Sequence, residues 1–146
     1  MKKIKVPIRY QGLMEKWIED LRDNPDLQGK DELLNDKGKY CCLGRLCVVA
    51  GIEDSVIQHE NVIEEDLLGY NTDILPSVFV GESFPSNAVP FVLTSMNDGV
   101  NNSSDLFRTV FQEWELTKYH YTFTEIADFL TERIEYEQDN QTGQEA

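Results

Sequence analysis

This 146-residue chain has no apolar run near the ~18 residues needed to cross a bilayer, so no membrane span is read. Its basic start, Met1 to Lys5, leads into no apolar segment, so no secretory leader is read either. Cysteine is scarce: there are three, two of them adjacent. That number and spacing do not make a disulfide framework, and they point to reduced thiols in the cytosol. Histidine is scarcer still, with only two, His59 and His120. Cations nearly vanish after the first third. Residues 1–45 carry ten Lys/Arg and eight Asp/Glu (net +2), residues 46–146 carry three and nineteen (net −16), and the sum is −14. Direct nucleic-acid binding is thereby excluded as an expectation, because phosphate contacts need clustered positive charge. The glycine fingerprint of dinucleotide sites, the P-loop, Gly-x-Ser-x-Gly, His-Glu-x-x-His and the calcium-loop pattern are all missing, so no cofactor is expected.

What remains suits one globular unit. The hydrophobic fraction is 40%, and a chain of this length buries enough surface to fold without a metal or disulfide. The least polar stretch runs from Lys39 to Gly51 and holds Cys41, Cys42 and Cys47. It reads as a short strand ending near Cys41, then a buried helix over Cys42–Ala50. Leu43, Leu46, Cys47 and Ala50 share one face of that helix, and Gly51 stands at the cap. Upstream, Ile4–Ile8 reads as a short edge strand or extended arm, limited by Pro7. Leu13–Asn24 reads as a helix with Leu13, Trp17 and Leu21 inward, Glu15, Glu19, Asp20 and Asp23 outward, and Pro25 as its stop. Gln28–Leu34 and Lys39–Cys41, joined by the Asn35–Gly38 turn, read as a small antiparallel hairpin.

Downstream the chain turns acidic. Val56–Ile63 has no clear period, and Glu64–Asp66 reads as a solvated run. Pro76–Val80 is expected as a short helix and Gly81–Pro85 as loop. A helix begins at Pro90, buries Phe91, Val92, Leu93 and Met96, and ends at Asn97-Asp98-Gly99. Asn101–Ser104 is expected as loop, and Leu106–Trp114 has helical spacing. The last helix is expected from Phe123 to about Tyr136. Its signature is a capping box of Thr122 and Glu125, with Tyr121 and Ile126 as the hydrophobic staple. Phe123, Ile126, Ala127, Leu130 and Ile134 line its inner face. The expected organisation is a globular domain over residues 1–136 and a flexible polar tail over 137–146.

Several of these pieces occur in a recognisable order: Tyr40-Cys41-Cys42-Leu43-Gly44-Arg45-Leu46-Cys47, then Leu75-Pro76, then Leu93-Thr94-Ser95-Met96-Asn97-Asp98, then Phe123-Thr124-Glu125-Ile126-Ala127-Asp128-Phe129-Leu130. Over about residues 13–136 the chain resembles a family of small uncharacterised proteins of tailed phages and prophages. That family's pattern is Tyr-Cys-Cys-Leu-Gly-x-Leu-Cys, Leu-Pro, Leu-Asn-Asp, and Phe-x-Glu-Ile-Ala-Asp-x-Ile. This chain departs at Met96, where leucine is usual, and by an insertion over Val100–Lys118. The resemblance implies a phage origin and carries no chemistry of its own.

Candidate chemistry is sparse. Cys42 at a helix N-terminus is a possible nucleophile, with Gln28 as an oxyanion donor and His59 or His120 as the base, in a cysteine-dependent hydrolase or transferase. The competing reading makes all three cysteines small core residues. Metal binding is not expected: a structural zinc site needs two ligand pairs, and on a helix Cys42 and Cys47 diverge by about 140°. Asp98 and Arg45 are candidates for a ligand pocket that sequesters a nucleotide or metabolite, although Asn-Asp-Gly more simply ends a helix. Asp128 lies away from the core face, and Glu125 is committed to its own cap. Trp114, Tyr119 and Tyr121, beside His120 and Phe123, form a candidate partner-binding patch, or else pack under the last helix. The acidic surface suits a basic protein partner or imitates DNA, beyond its ordinary role in solubility.

The expectation is therefore an α+β fold, mostly helical. In it a small antiparallel hairpin is packed with four or five helices around the cysteine-rich helix. The expected function is that of a non-enzymatic phage accessory protein in the host cytoplasm that binds or inhibits a host protein, with no membrane partner.

Overall fold

The fold is described from a computed structural model, which covers residues 1–69, 73–81, 88–99 and 105–138. The elements in chain order are β1 (Ile4–Pro7), α1 (Gln11–Asp23), α2 (Cys42–Val49), α3 (Asp54–Ile57), α4 (Val89–Asp98), α5 (Asp105–Glu113), α6 (Phe123–Arg133) and β2 (Ile134–Glu137). Short 3₁₀ turns occupy Ile8–Tyr10, Pro25–Leu27, Glu65–Leu68 and Ser77–Phe79. The class is mixed helix and strand, dominated by helix. Among the described residues no helix is long and apolar enough to cross a membrane.

The cysteine-rich helix lies where the expectation puts it, and its burial exceeds it. Every side chain from Cys42 to Cys47 is buried, Arg45 included, so the helix has no solvent face over its first six residues. Ala50, expected on the buried face, is half-buried at the cap. Gly44 explains the tight fit: a Cβ there would overlap the carbonyl oxygen of Leu33. Helix α1 packs on both α2 and α6, and α4 closes the far side of α2. The buried face of α1 is Met14, Trp17 and Leu21, with Leu13 half-buried. The alternating steps of three and four keep that trio on one line, whereas repeated steps of four drift around the helix. Trp17 reaches α2 directly. Its indole Nε1 donates to the Cys42 carbonyl at 2.9 Å, and its ring meets Phe79 edge-on with centroids 5.1 Å apart.

The expected antiparallel hairpin is not formed. Residues 28–41 make only isolated bridges: Tyr40 opposite Gln28 in parallel and Leu34 in antiparallel sense, with Leu34 also opposite Gln58 in parallel. The Asn35–Gly38 turn exists, held by Gly38 N–H donating to Asn35 O at 3.1 Å. The Asn35 side chain also accepts from Lys37 N and Lys39 N. The ladder dies because Tyr40 divides its backbone between neighbours: its N–H donates to Leu27 O and its carbonyl accepts from Gly29 N, both at 2.7 Å. Asp31, at φ 71°, turns the chain out of extended geometry.

The sheet that does form joins the two ends of the fold. β1 and β2 pair in parallel, Ile4 opposite Ile134 through Pro7 opposite Glu137. Parallel strands need a crossover, and here the crossover is everything between them. Ile4 and Val6 point inward, and the Lys5–Glu135 ion pair lies on the exposed side. The last helix accordingly stops at Arg133, not at Tyr136, and Ile134 is already extended. At its other end the expected capping box is complete: Thr122 Oγ1 accepts from Glu125 N, and Glu125 Oε1 accepts from Thr122 N.

Elsewhere the differences are of one turn or less: the one-turn α3, where no element is expected, makes six helices among the described residues in place of four or five. α4 starts at Val89 and ends, as expected, with Gly99 left-handed at φ 77°; Phe91 is half-buried. Pro76 precedes a single 3₁₀ turn in place of a helix. α5 buries Val110, and Trp114 just beyond its end is buried as well. The expected loop Asn101–Ser104, part of Gly81–Pro85, and all but the first two residues of the 137–146 tail fall outside the described residues.

Candidate functional site

Cys42 opens α2, and its environment is the reverse of an activated nucleophile's. Its side chain has no solvent exposure, and its sulfur lies 3.7 Å from the Leu93 carbonyl. Burial pushes the thiol well above its usual range, with the neighbouring Cys41 and Asp98 adding to the rise. Cys41 and Cys47 are likewise pushed up to about 12, chiefly by burial. Cys41 serves the architecture, since as the N-cap its sulfur accepts from Gly44 N at 3.4 Å. The histidines lie elsewhere. His59 is exposed with Nδ1 3.0 Å from Glu32 Oε2, and His120 is exposed with its ring against Gly99.

Gln28 is not an oxyanion donor waiting for substrate. Its Nε2 donates to Asn97 Oδ1 at 3.1 Å and to Tyr121 O at 2.9 Å, while its Oε1 accepts from Phe123 N at 2.9 Å. Asn97 is fully buried; its Oδ1 also accepts from Cys42 N at 3.1 Å, and its Nδ2 donates to Gly29 O at 2.7 Å and to Asp98 Oδ1 at 3.0 Å. Two amide side chains thus satisfy the first N–H of α2, the first N–H of α6 and a carbonyl just before α6. Such N–H groups at helix starts have no intrahelical partners. This polar junction holds α2, α4 and α6 together. In the sequence Asn97 reads only as part of a helix stop; its burial has no local signal.

Arg45 and Asp98 do not share a pocket. Arg45 lies between α1 and α2, with Nε and Nη2 each 2.7 Å from the two carboxylate oxygens of Asp20. Its guanidinium covers the Tyr40 ring at 4.6 Å, and Tyr40 OH bonds Asp54. Asp20, expected to face away, is turned inward by that bidentate pair. Asp98 instead lines a separate cavity of about 210 Å³ with Asp31, Glu32, Cys41, Asn61, Val62 and Thr94. Desolvation raises its carboxyl above the usual range, partly opposed by hydrogen bonds from Asp31 N and Asn97. Among the described residues, no three His, Cys, Asp or Glu side chains are grouped so as to hold a metal.

The aromatic patch is mostly interior. Trp114 is 1% exposed and Tyr121 9%, so neither stands on the surface; Tyr119, at 49%, does. Tyr121 OH accepts from Thr117 N and Lys118 N, tying down the approach to α6. Trp114 packs near Phe129 with its carbonyl accepting from Arg133 Nη2 at 2.8 Å. The packing alternative is the one realised for both, because the chain after α5 folds back under α6.

A surface feature with both apolar area and unpaired negative charge lies along α1, α6 and β2. Where α1 runs beside α6 and β2 leaves it, a groove of about 430 Å³ opens. Its floor is Ile18, Leu130, Ile134 and Tyr136, and its α1 rim is Glu15, Glu19 and Asp23. Those carboxylates recur at every fourth position, so they spread over only about 80° of the helix circumference and span about 12 Å along it. Gln11 donates to Glu15, whereas Glu19 and Asp23 have no partner among the described residues. Arg22 is the cation in the groove, and it is held by Asp128 Oδ1 at 2.6 Å and Thr131 Oγ1 at 3.2 Å. Burial first, and then the charge of Glu15, raises the Tyr136 phenol. The outward row of α1 is readable in the sequence. The floor is not, because Ile134 and Tyr136 fit a continued helix as well as a strand. Comparison with family models, with curated proteins and with solved structures finds no match to this chain.

Proposed function

We propose that this chain is a phage accessory protein that acts in the host cytoplasm without catalysis, by binding a host protein and so blocking a host enzyme or a defence component. One observation carries this reading: the side chains with reactive potential are consumed inside the fold, and the surface offers unpaired negative charge. Cys42 is buried beneath α4, Arg45 is locked to Asp20, and Gln28 and Asn97 saturate each other and the helix ends. Against this, the chain carries a net charge of −14, the sum of +2 over residues 1–45 and −16 over residues 46–146. A surface of that sign attracts basic partners over a Debye length of about 8 Å at physiological salt and repels nucleic acid.

The test is affinity capture from host lysate at low and high salt, with thiol alkylation of the native protein alongside. A stable partner whose retention falls with salt is expected, together with alkylation of Cys42 only on unfolding. Capture of nothing at either salt, or rapid native alkylation of Cys42, would overturn the reading, the second in favour of a cysteine-dependent enzyme.

A further inference from the structure

We propose that the groove between α1, α6 and β2 is the docking site for a cationic amphipathic helix of a protein partner. This rests on the binding function proposed above and names its surface and the chemistry of its occupant. The floor demands apolar side chains: Leu130 is fully buried at its base, and Ile18, Ile134 and Tyr136 stand half-buried around it. Its rim demands positive charge. Glu19 and Asp23 are exposed and unpaired among the described residues, and Glu15 shares only the Gln11 amide. Arg22 does not cancel them, because Asp128 holds it.

Length selects a helix. The rim spans about 12 Å, close to two helical turns, so an occupant with apolar residues at i, i+3 or i+4, and i+7 fills the floor while lysine or arginine on either flank meets the carboxylates. A second copy of this chain is disfavoured as occupant, since two molecules of net charge −14 repel. A purely electrostatic contact would leave the floor in water, so the apolar stripe is as necessary as the charge.

The experiment uses the full chain and a labelled synthetic peptide of leucine and lysine arranged in helical spacing, with a same-composition scrambled peptide as control. Fluorescence anisotropy is expected to show the helical peptide binding at least about tenfold tighter than the scrambled one, with affinity falling as salt rises. Glu19→Lys with Asp23→Lys is expected to weaken it about tenfold. Glu53→Lys with Asp66→Lys, the same charge change on exposed residues outside the groove, is expected to weaken it less than about threefold. Ile18→Asp tests the floor and is expected to abolish the preference for the helical peptide. Equal binding of both peptides, or equal loss in both double variants, would overturn the site. So would a concentration-dependent dimer that Ile18→Asp disperses, because it gives the groove to a second copy. If lysate capture yields a partner that the Glu19→Lys, Asp23→Lys protein still retains, the groove is wrong and the host-factor reading stands. If no variant captures anything, the host-factor reading itself fails.

Discussion

Two polar regions of this molecule use similar chemistry to opposite ends. At the junction of α2, α4 and α6, Gln28, Asn97 and Asp98 bond one another, the first N–H groups of α2 and α6, and the loop backbone at Gly29, Asp31 and Tyr121. Along the groove beside α1, Glu19 and Asp23 bond nothing among the described residues. The difference follows from solvent. A buried amide or carboxyl without partners costs about 1–3 kcal/mol, and at this junction each has them, whereas Trp114 Nε1 and Arg133 Nε are buried without a hydrogen bond. An exposed carboxylate keeps its water and remains available to a partner. In this fold buried polarity holds architecture, and unpaired exposed polarity is where interaction is to be sought.

The largest test of that contrast is at Gly44. Alanine there forces its Cβ into the Leu33 carbonyl oxygen, and backbone cannot swing aside as a side chain does. A loss above about 3 kcal/mol is expected in urea unfolding. Asn97→Ala comes next. It strips the side-chain partner of Cys42 N and Gly29 O and one of the two acceptors of Gln28 Nε2, and about 2–3 kcal/mol should be lost. If Asn97→Ala costs no more than a surface substitution, the junction is not what holds the three helices.

The cysteines supply a pH test with a definite sign. Their folded-state values lie above the ordinary thiol range, with Cys41 and Cys47 at about 12. The unfolded chain therefore loses these protons first as pH rises. The stabilisation is fully present below about pH 9 and drains away towards pH 12, at up to about 1.4 kcal/mol per pH unit for each thiol. Urea midpoints at pH 8, 9 and 10 should fall progressively, and less steeply in Cys47→Ala than in the parent. A flat profile would mean that the thiols are exposed. The smallest effect belongs to the groove: Glu19→Lys with Asp23→Lys should move stability by no more than about 0.5 kcal/mol, whatever it does to binding. A large loss there would erase the distinction between the two regions.

Local chemistry made some of the fold legible in advance. The α6 start was readable because a capping box is written within four residues, and the α4 stop because only a residue such as Gly99 accepts φ 77° without strain. The hairpin misled because a tight turn between apolar stretches specifies a reversal of direction, not the length of ladder that follows. The burial of Trp114 and Tyr121, and the inward turn of Asp20, depended on partners beyond the reach of local pattern: Arg133 for Trp114, Met96 and Gln28 for Tyr121, and Arg45 for Asp20.

By itself the sequence determined the five longer helices to within about a turn, the α6 capping box and the α4 glycine stop, the buried run from Cys42 to Cys47 and the negative sign of the surface, because periodicity, capping and charge act within a few residues. Tertiary structure alone decided that Ile134–Glu137 leaves the helix to pair with a strand 130 positions earlier. It also decided that Asn97 and Gln28 become an internal junction and that α1 and β2 leave a groove between them. Pairing at such separation is settled by which surfaces meet when the whole chain closes, and no local pattern encodes it.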